Sequence, residues 1–404
     1  MTSATRAQSS LDLFCDDQLT NPYPGYARLR AQGPAVWMAR HQIWAITRHE
    51  PVKAVLADPT TFSSHNGVAL TKQANEAALA GTVLGTDGPQ HRRLRKPLSR
   101  QLRPDAVRRL RASIDERAAA LVEDHLAQHS PDTPAGIFDA AALAGNLVAD
   151  TVMDLMGLPQ DTRDKLLSTA RAMFDLFGPD NQRWKTAMPI AAAMIEFLKD
   201  AVSRETVRPN SWMHALYRAA DRGEIDEGDV VPLMLAYTTA SMDTTIYGLS
   251  TTLHLLAAHP KQWTAFRGGL VTADRVFREA LRFDAPVQGF GRRVTRNTRL
   301  DGVDLAAGDQ IWVLYGSANR DERSWGARAD DFIVRRKYTA DHLAFGHGVH
   351  GCAGNHLAEQ QAISLLNAVA ARCKALEPAG EPQRALNNTL RGMSRVPIKF
   401  TLAP

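Results

Sequence analysis

Cys352 stands among four glycines in the run Phe345-Gly346-His347-Gly348-Val349-His350-Gly351-Cys352-Ala353-Gly354. Glycine permits positive φ and close backbone approach, so peptide N–H groups can be brought onto a sulfur. Hydrogen bonds of that kind hold a metal-bound thiolate anionic and tune the metal. A helix pattern starts at Asn355, and a helix N-terminus beside the sulfur favours the same negative charge. The chemistry open to this run is a thiolate ligand on a metal centre. Two other readings stay open on the residues alone. One is an inert buried cysteine, although four glycines make poor packing neighbours for it. The other is zinc held by His347, His350, Cys352 and His356, which lacks the second, separated ligand pair of ordinary structural zinc sites.

Three further groups carry possible chemistry. The apolar stretch Leu233 to Leu256 is interrupted by a polar knot, Thr238-Thr239-Ala240-Ser241-Met242-Asp243-Thr244-Thr245. Hydroxyls and a carboxylate compete for the backbone and are costly to bury, so the knot is either a bend in a core helix or a working site. Glu279 and Arg282 sit three apart on one helical face, a spacing that gives only a weak ion pair when solvated. His91 and Arg95 share a helical face, Arg292 follows Pro286-Val287-Gln288, and His350 lies two residues before Cys352.

The elements that must position these residues are mostly helical. Apolar residues at three-and-four spacing predict helices over Ala106–Ala127, Ala141–Met156, Arg163–Phe177, Thr186–Thr206, Gly228–Ala258, Ala273–Phe283 and Asn355–Leu376. Short strands are expected at Ala35–Trp37, Trp44–Thr47, Gln310–Leu314 and Pro397–Leu402. No repeat or Ser/Gly linker divides the 404 residues, so the expectation is one domain over 1–404, mainly α with a minor β portion. A hydrophobic content of 44% is enough for a large core, and three scattered cysteines do not make a disulfide framework, which fits a reducing cytoplasm. Met1 to Asp17 carries no leader pattern and no run approaches a membrane span, so the reading is a soluble cytoplasmic protein without membrane attachment. The arginines from Arg92 to Arg111, and Arg335-Arg336-Lys337, have no accompanying aromatic stacking platform. They read as a solvated face or as a dock for an acidic partner, and not as a nucleic-acid surface.

The cysteine run fills every fixed position of Phe-Gly-x-Gly-x-His-x-Cys-x-Gly and resembles the haem-ligand loop of cytochrome P450. Asn21-Pro22-Tyr23-Pro24, Leu56–Ser64, the His91 segment, the Asp243 knot, Glu279–Arg282 and Tyr315-Gly316-Ser317-Ala318-Asn319-Arg320-Asp321 extend the likeness in order along nearly the whole chain. The resemblance implies the single-domain cytochrome P450 fold, an α-rich region plus a small β-rich region. It implies haem b (iron protoporphyrin IX) with Cys352 as the axial ligand. Phe345 and Gly346 belong to the same loop. His91, Arg95, Arg292 and His350 are the implied propionate clamp. Asp243 and Thr244 are the implied acid–alcohol pair that delivers protons to dioxygen, with Ser241 where the family usually has glycine. Glu279 and Arg282 are the implied structural brace of the core beside the cysteine loop. Implied partners are an iron–sulfur ferredoxin with an NAD(P)H-dependent reductase, or a fused flavin/iron–sulfur reductase.

Asn387-Asn388-Thr389-Leu390-Arg391-Gly392 and Phe174-Asp175-Leu176-Phe177-Gly178-Pro179 look most like the para-methoxybenzoate O-demethylase group of bacterial cytochromes P450. Pocket walls in the family map here onto Ala78, Leu79, Val83, Leu84, Phe174, Phe177, Ala236, Thr239, Ala240, Val287 and Phe290, which implies a small aromatic substrate. Ala74–Leu84 and Leu233–Ala240 contain no Lys or Arg to hold a carboxylate. The expected substrate is therefore a neutral methoxyarene of the guaiacol, alkylguaiacol or syringol type. The alternatives are a methoxybenzoate, a larger natural product, or a haem gas sensor without turnover.

Overall fold

A computed structural model of the chain describes residues 7–127, 136–158, 163–201 and 203–404. Residues 1–6 of the expected leaderless N-terminus and residue 202 of the expected Thr186–Thr206 helix lie outside the described residues.

Aromatic and β-branched runs make the main sheet, because such side chains pack well on a pleated surface. Its strands are β1 (Gln8–Ser9), β2 (Ala35–Met38), β3 (Ile43–Ile46), β4 (Phe62–Ser63), β5 (Gly289–Val294) and β6 (Gln310–Leu314), in the spatial order β1-β2-β3-β6-β5-β4. β2 and β3 form an antiparallel hairpin with Ala35 opposite Ile46, and β3 runs parallel to β6 with Trp44 opposite Ile311. β5 returns antiparallel to β6, with Gly289 opposite Leu314, and so brings Phe290 and Arg292 next to β6, on a strand whose other neighbour is β4.

The helices that matter for the site are α1 (Gly88–Leu102), α2 (Pro104–Ala127), α3 (Ala140–Met156), α4 (Arg163–Asp175), α5 (Gln182–Ala201), α6 (Val230–Ser241), α7 (Asp243–Ala258), α8 (Ala273–Phe283) and α9 (Asn355–Arg372). α9 packs along α2 and α8, and α7 packs on α3 and α8, around a continuous apolar core that includes Leu94, Leu147, Leu253, Phe277 and Leu365. The fold is mainly helical with minor sheet content, as the sequence leads one to expect. No helix among the described residues is long and apolar enough to cross a membrane.

Most boundaries fall within two residues of expectation, and three elements differ more, each for a physical reason. The last long helix ends at Arg372 instead of Leu376, because Cys373–Pro378 pairs antiparallel with Pro397–Leu402. Tertiary strand pairing overrides a local helical period there. The Gln182–Ala201 helix starts four residues early, where the Asn181 side chain accepts from the Trp184 N–H at 3.0 Å. Beyond it, the Ser203 and Thr206 hydroxyls bond to nearby backbone and turn the chain. Finally, the expected Gly228–Ala258 helix is two helices, broken at Met242 with φ −90° and ψ −84°.

Candidate functional site

The break at Met242 forms with serine at 241, without the usual glycine. Ser241 Oγ donates to the Tyr237 carbonyl and Thr244 Oγ1 to the Ala240 carbonyl at 2.7 Å. The N–H groups of Thr245 and Ile246 both take the Met242 carbonyl at 3.0 Å. Hydroxyls bonded one turn back bend a helix, so serine here produces the irregularity by a different route.

The cysteine loop is tied closed by the Cys352 N–H donating to the Phe345 carbonyl at 2.8 Å. Gly346 and Gly348 have φ of +68° and +69°, and a Cβ at Gly348 would lie 2.5 Å from the Leu56 carbonyl oxygen. Those two glycines are required by the backbone. Gly351 and Gly354 are not at positive φ. Cys352 opens onto an internal cavity of about 280 Å³, which accounts for its accessible surface. Burial within the protein pushes its thiol up, while the Gly354 N–H, the Arg95 guanidinium and the Asn355 N–H at the start of α9 pull the other way. Among the described residues no three His, Cys, Asp or Glu side chains converge as a metal cluster, so the zinc reading has no geometry behind it.

The same cavity is lined by Thr244 from α7, by Thr239 and Ala240 from α6, and by Phe174, Phe177, Val83, Leu84, Val287 and Phe290. Phe345, Gly346, Arg95, Arg292 and His350 line it as well. Phe177 makes edge contacts with both Phe174 and Phe290, with ring centroids 5.6 Å apart in each case. Two candidate residues stand behind the wall. His91 is buried with its ring centroid 4.3 Å from that of His350, and its Nε2 has no partner. Burial, reinforced by His350 and Arg95, lowers its pKa to about 4. Asp243 is also buried, with Oδ2 unpartnered.

Two supporting groups escaped the sequence reading. His350 Nε2 donates to Asp87 Oδ1 at 2.8 Å. Burial of Asp87 opposes its ionisation, but bonds from His350, the Ser63 hydroxyl and the His65 N–H outweigh this and hold the carboxyl well below its usual range. The available signal was Asp87 standing four residues before His91. Tyr315 lines the cavity and is bonded to Arg292, a pairing no local spacing reveals.

These features fit an iron porphyrin: a thiol facing a cavity with amide N–H groups behind it, and beside it two arginines, a histidine and a buried histidine nitrogen lacking a partner. They could hold, respectively, an iron atom and two carboxylates.

Burial raises the Asp243 carboxyl to about 6, with Arg171 opposing weakly. Below about pH 3 it is protonated whether the chain is folded or not, and it leaves stability untouched. As pH rises, the unfolded chain loses that proton first, so stability falls until about pH 6 and the whole penalty persists above it. The gap from the ordinary carboxyl value of 3.8 sets a ceiling of roughly 3 kcal/mol. Asp243→Asn is therefore expected to raise Tm at pH 8 and leave it almost unchanged at pH 3. Equal shifts at both pH values in calorimetry would trace the gain to something other than the buried charge.

The chain matches the family model "Cytochrome P450" over residues 31–402. It is 34% identical to cytochrome P450 CYP199A2 of Rhodopseudomonas palustris, over 97% of this chain and 94% of that one. It is 29% identical to cytochrome P450 monooxygenase PikC of Streptomyces venezuelae, over 99% and 96% of the two chains. The haem domain of CYP116B5 from Acinetobacter radioresistens superposes with a TM-score of 0.85 at 22% identity, covering 97% of each chain, a likeness of fold.

Proposed function

The chain belongs to the cytochrome P450 family, and from that premise we propose that it O-demethylates a small neutral methoxyarene, of the guaiacol, alkylguaiacol or syringol type. The observation that carries the neutral-substrate reading is where charge sits on the cavity wall. The lining cations, Arg95 and Arg292, belong to the group around the cysteine loop: Arg95 donates to the Gly351 carbonyl, and Arg292 is bonded to Tyr315. Leu235, Ala236 and Ala240 of α6, with Val83, Leu84, Phe174, Phe177, Val287 and Phe290, offer hydrocarbon and rings. A benzoate buried there would bring an unpaired charge, whereas an uncharged ring gains contact with three phenylalanines.

In this reading Cys352 holds the iron of haem b through its thiolate, and Arg95, Arg292, His350 and His91 hold its propionates. The haem, when bound, supplies the oxidising chemistry that puts one atom of dioxygen into a substrate C–H bond and reduces the other to water. The apolar walls orient the methoxy group and exclude water. Asp243, with a pKa near neutrality, and the adjoining Thr244 hydroxyl on the cavity wall pass the protons that dioxygen reduction consumes. Hydroxylation of the methyl carbon gives a hemiacetal. The bond between its carbon and the ring oxygen then breaks to release formaldehyde, and the proton of the hemiacetal hydroxyl passes to the ring oxygen to give the phenol.

Two electrons come from an iron–sulfur ferredoxin served by an NAD(P)H-dependent reductase, or from a fused flavin/iron–sulfur reductase. Of the arginine cluster, Arg93, Arg100, Arg103, Arg109 and Arg111 are engaged by Asp or Glu. Arg336 is turned inward onto Glu279 and leaves the docking surface. Arg92, Lys96 and Arg108 are exposed, and they are the residues we assign to an acidic partner.

The test is the ferrous carbon-monoxide difference spectrum of the haem-loaded protein, followed by titration with methoxyphenols and methoxybenzoates. A red-shifted thiolate-type Soret band with a high-spin shift from the phenols alone is the expected result. Absence of that band would remove the haem-thiolate reading, and a shift from benzoates alone would remove the neutral-substrate one.

A further inference from the structure

We propose that Thr239 is a specificity-determining residue, whose hydroxyl binds a neutral oxygen substituent on the substrate ring. This rests on the monooxygenase reading above. Three nearby hydroxyls on α6 and α7 are bonded within the helix. Thr238 donates to the Met234 and Leu235 carbonyls at 3.1 and 3.2 Å, Ser241 to Tyr237, and Thr244 to Ala240 at 2.7 Å. Thr239 does not. It is 7% exposed, and its Oγ1 is buried without a partner, while Thr238 occupies the Leu235 carbonyl one turn back from it.

Thr239 nevertheless belongs to the cavity wall, together with Leu235, Ala236 and Ala240 on the same helix face. Thr82, also on the wall, has committed its hydroxyl, donating to the Leu79 carbonyl at 2.8 Å and accepting from the Gly85 N–H at 3.1 Å. A threonine in a helix has two accessible χ1 wells, so the Thr239 hydroxyl reaches the cavity by exchanging places with its own methyl. Leaving a buried hydroxyl unpaired is unfavourable, and a ligand oxygen within reach removes that penalty on binding. One neutral hydroxyl suits a phenol or a ketone. It does not repay the desolvation of a carboxylate.

The experiment compares 4-methoxyphenol with 4-methoxytoluene, in which a methyl replaces the hydroxyl, by titration calorimetry on the haem-loaded enzyme and its variants. Thr239→Val, which keeps the branched shape, should shift the phenol-to-toluene affinity ratio by about tenfold against the phenol. Thr239→Ser should leave the ratio near that of the parent. An unchanged ratio in Thr239→Val overturns the assignment, as does an equal shift in Thr239→Ser. The carbon-monoxide spectrum of the same samples reports separately on the haem-thiolate reading.

Discussion

Replacing Cys352 with serine is expected to leave a folded protein whose ferrous carbon-monoxide spectrum lacks the red-shifted Soret band and whose oxygenase turnover falls below detection. The side chain faces a cavity and contributes little packing, so the change removes one sulfur and no core contact. A serine hydroxyl ionises far less readily than a thiol. The Gly354 and Asn355 N–H groups and Arg95, which favour an anion at this position, do not compensate for that difference. Stability to urea should change by less than about 1 kcal/mol, in keeping with a substitution outside the packed core. Retention of the red-shifted band in Cys352→Ser would mean that the ligand is another residue.

The second large effect concerns a pair that touches no ligand. Glu279 and Arg282 are both fully buried, with Arg282 Nε 2.8 Å from Glu279 Oε2. Arg282 also donates to the carbonyls of Asn319, Ala329 and Asp331. Glu279 accepts from Arg336 and from the Ile333 N–H. This network ties α8 to the segments at 319 and 329–336, upstream of the cysteine loop. Removing one partner strands a charge in the interior and costs about 3–5 kcal/mol, against a total stability of about 5–15 kcal/mol for a typical protein. Glu279→Ala is therefore expected to lower the urea midpoint sharply and to reduce haem incorporation during expression. A loss below about 1 kcal/mol would show that the pair behaves like a solvated one.

That contrast shows where the sequence stops being sufficient. Spacing identified Glu279 and Arg282 as neighbours on one face, but the same spacing describes a weak surface pair. Only burial from every side, by helices and loops remote in sequence, turns it into a brace. The arginine-rich segment behaves in the opposite way. As a string it reads as a continuous basic patch, whereas Asp226 and Asp229 reach across to Arg93, and Glu224 to Arg100, so that most of the charge is neutralised locally.

By itself the sequence determined the family, the helical character of the chain, and the glycine-rich cysteine loop. Each of these is written in residues close together, where positive φ, helical period and a reactive thiol are local properties. The two sequence segments without lysine or arginine also anticipated uncharged cavity walls. The tertiary structure alone decided that the helix breaks at Met242 with serine before it, and that Cys373–Pro378 is a strand. It also decided that Asp87 and Tyr315 steady His350 and Arg292, and that the Thr239 hydroxyl is left unpaired. Those outcomes depend on which distant groups compete for a given carbonyl, charge or face, and the folded chain settles that competition where local spacing does not.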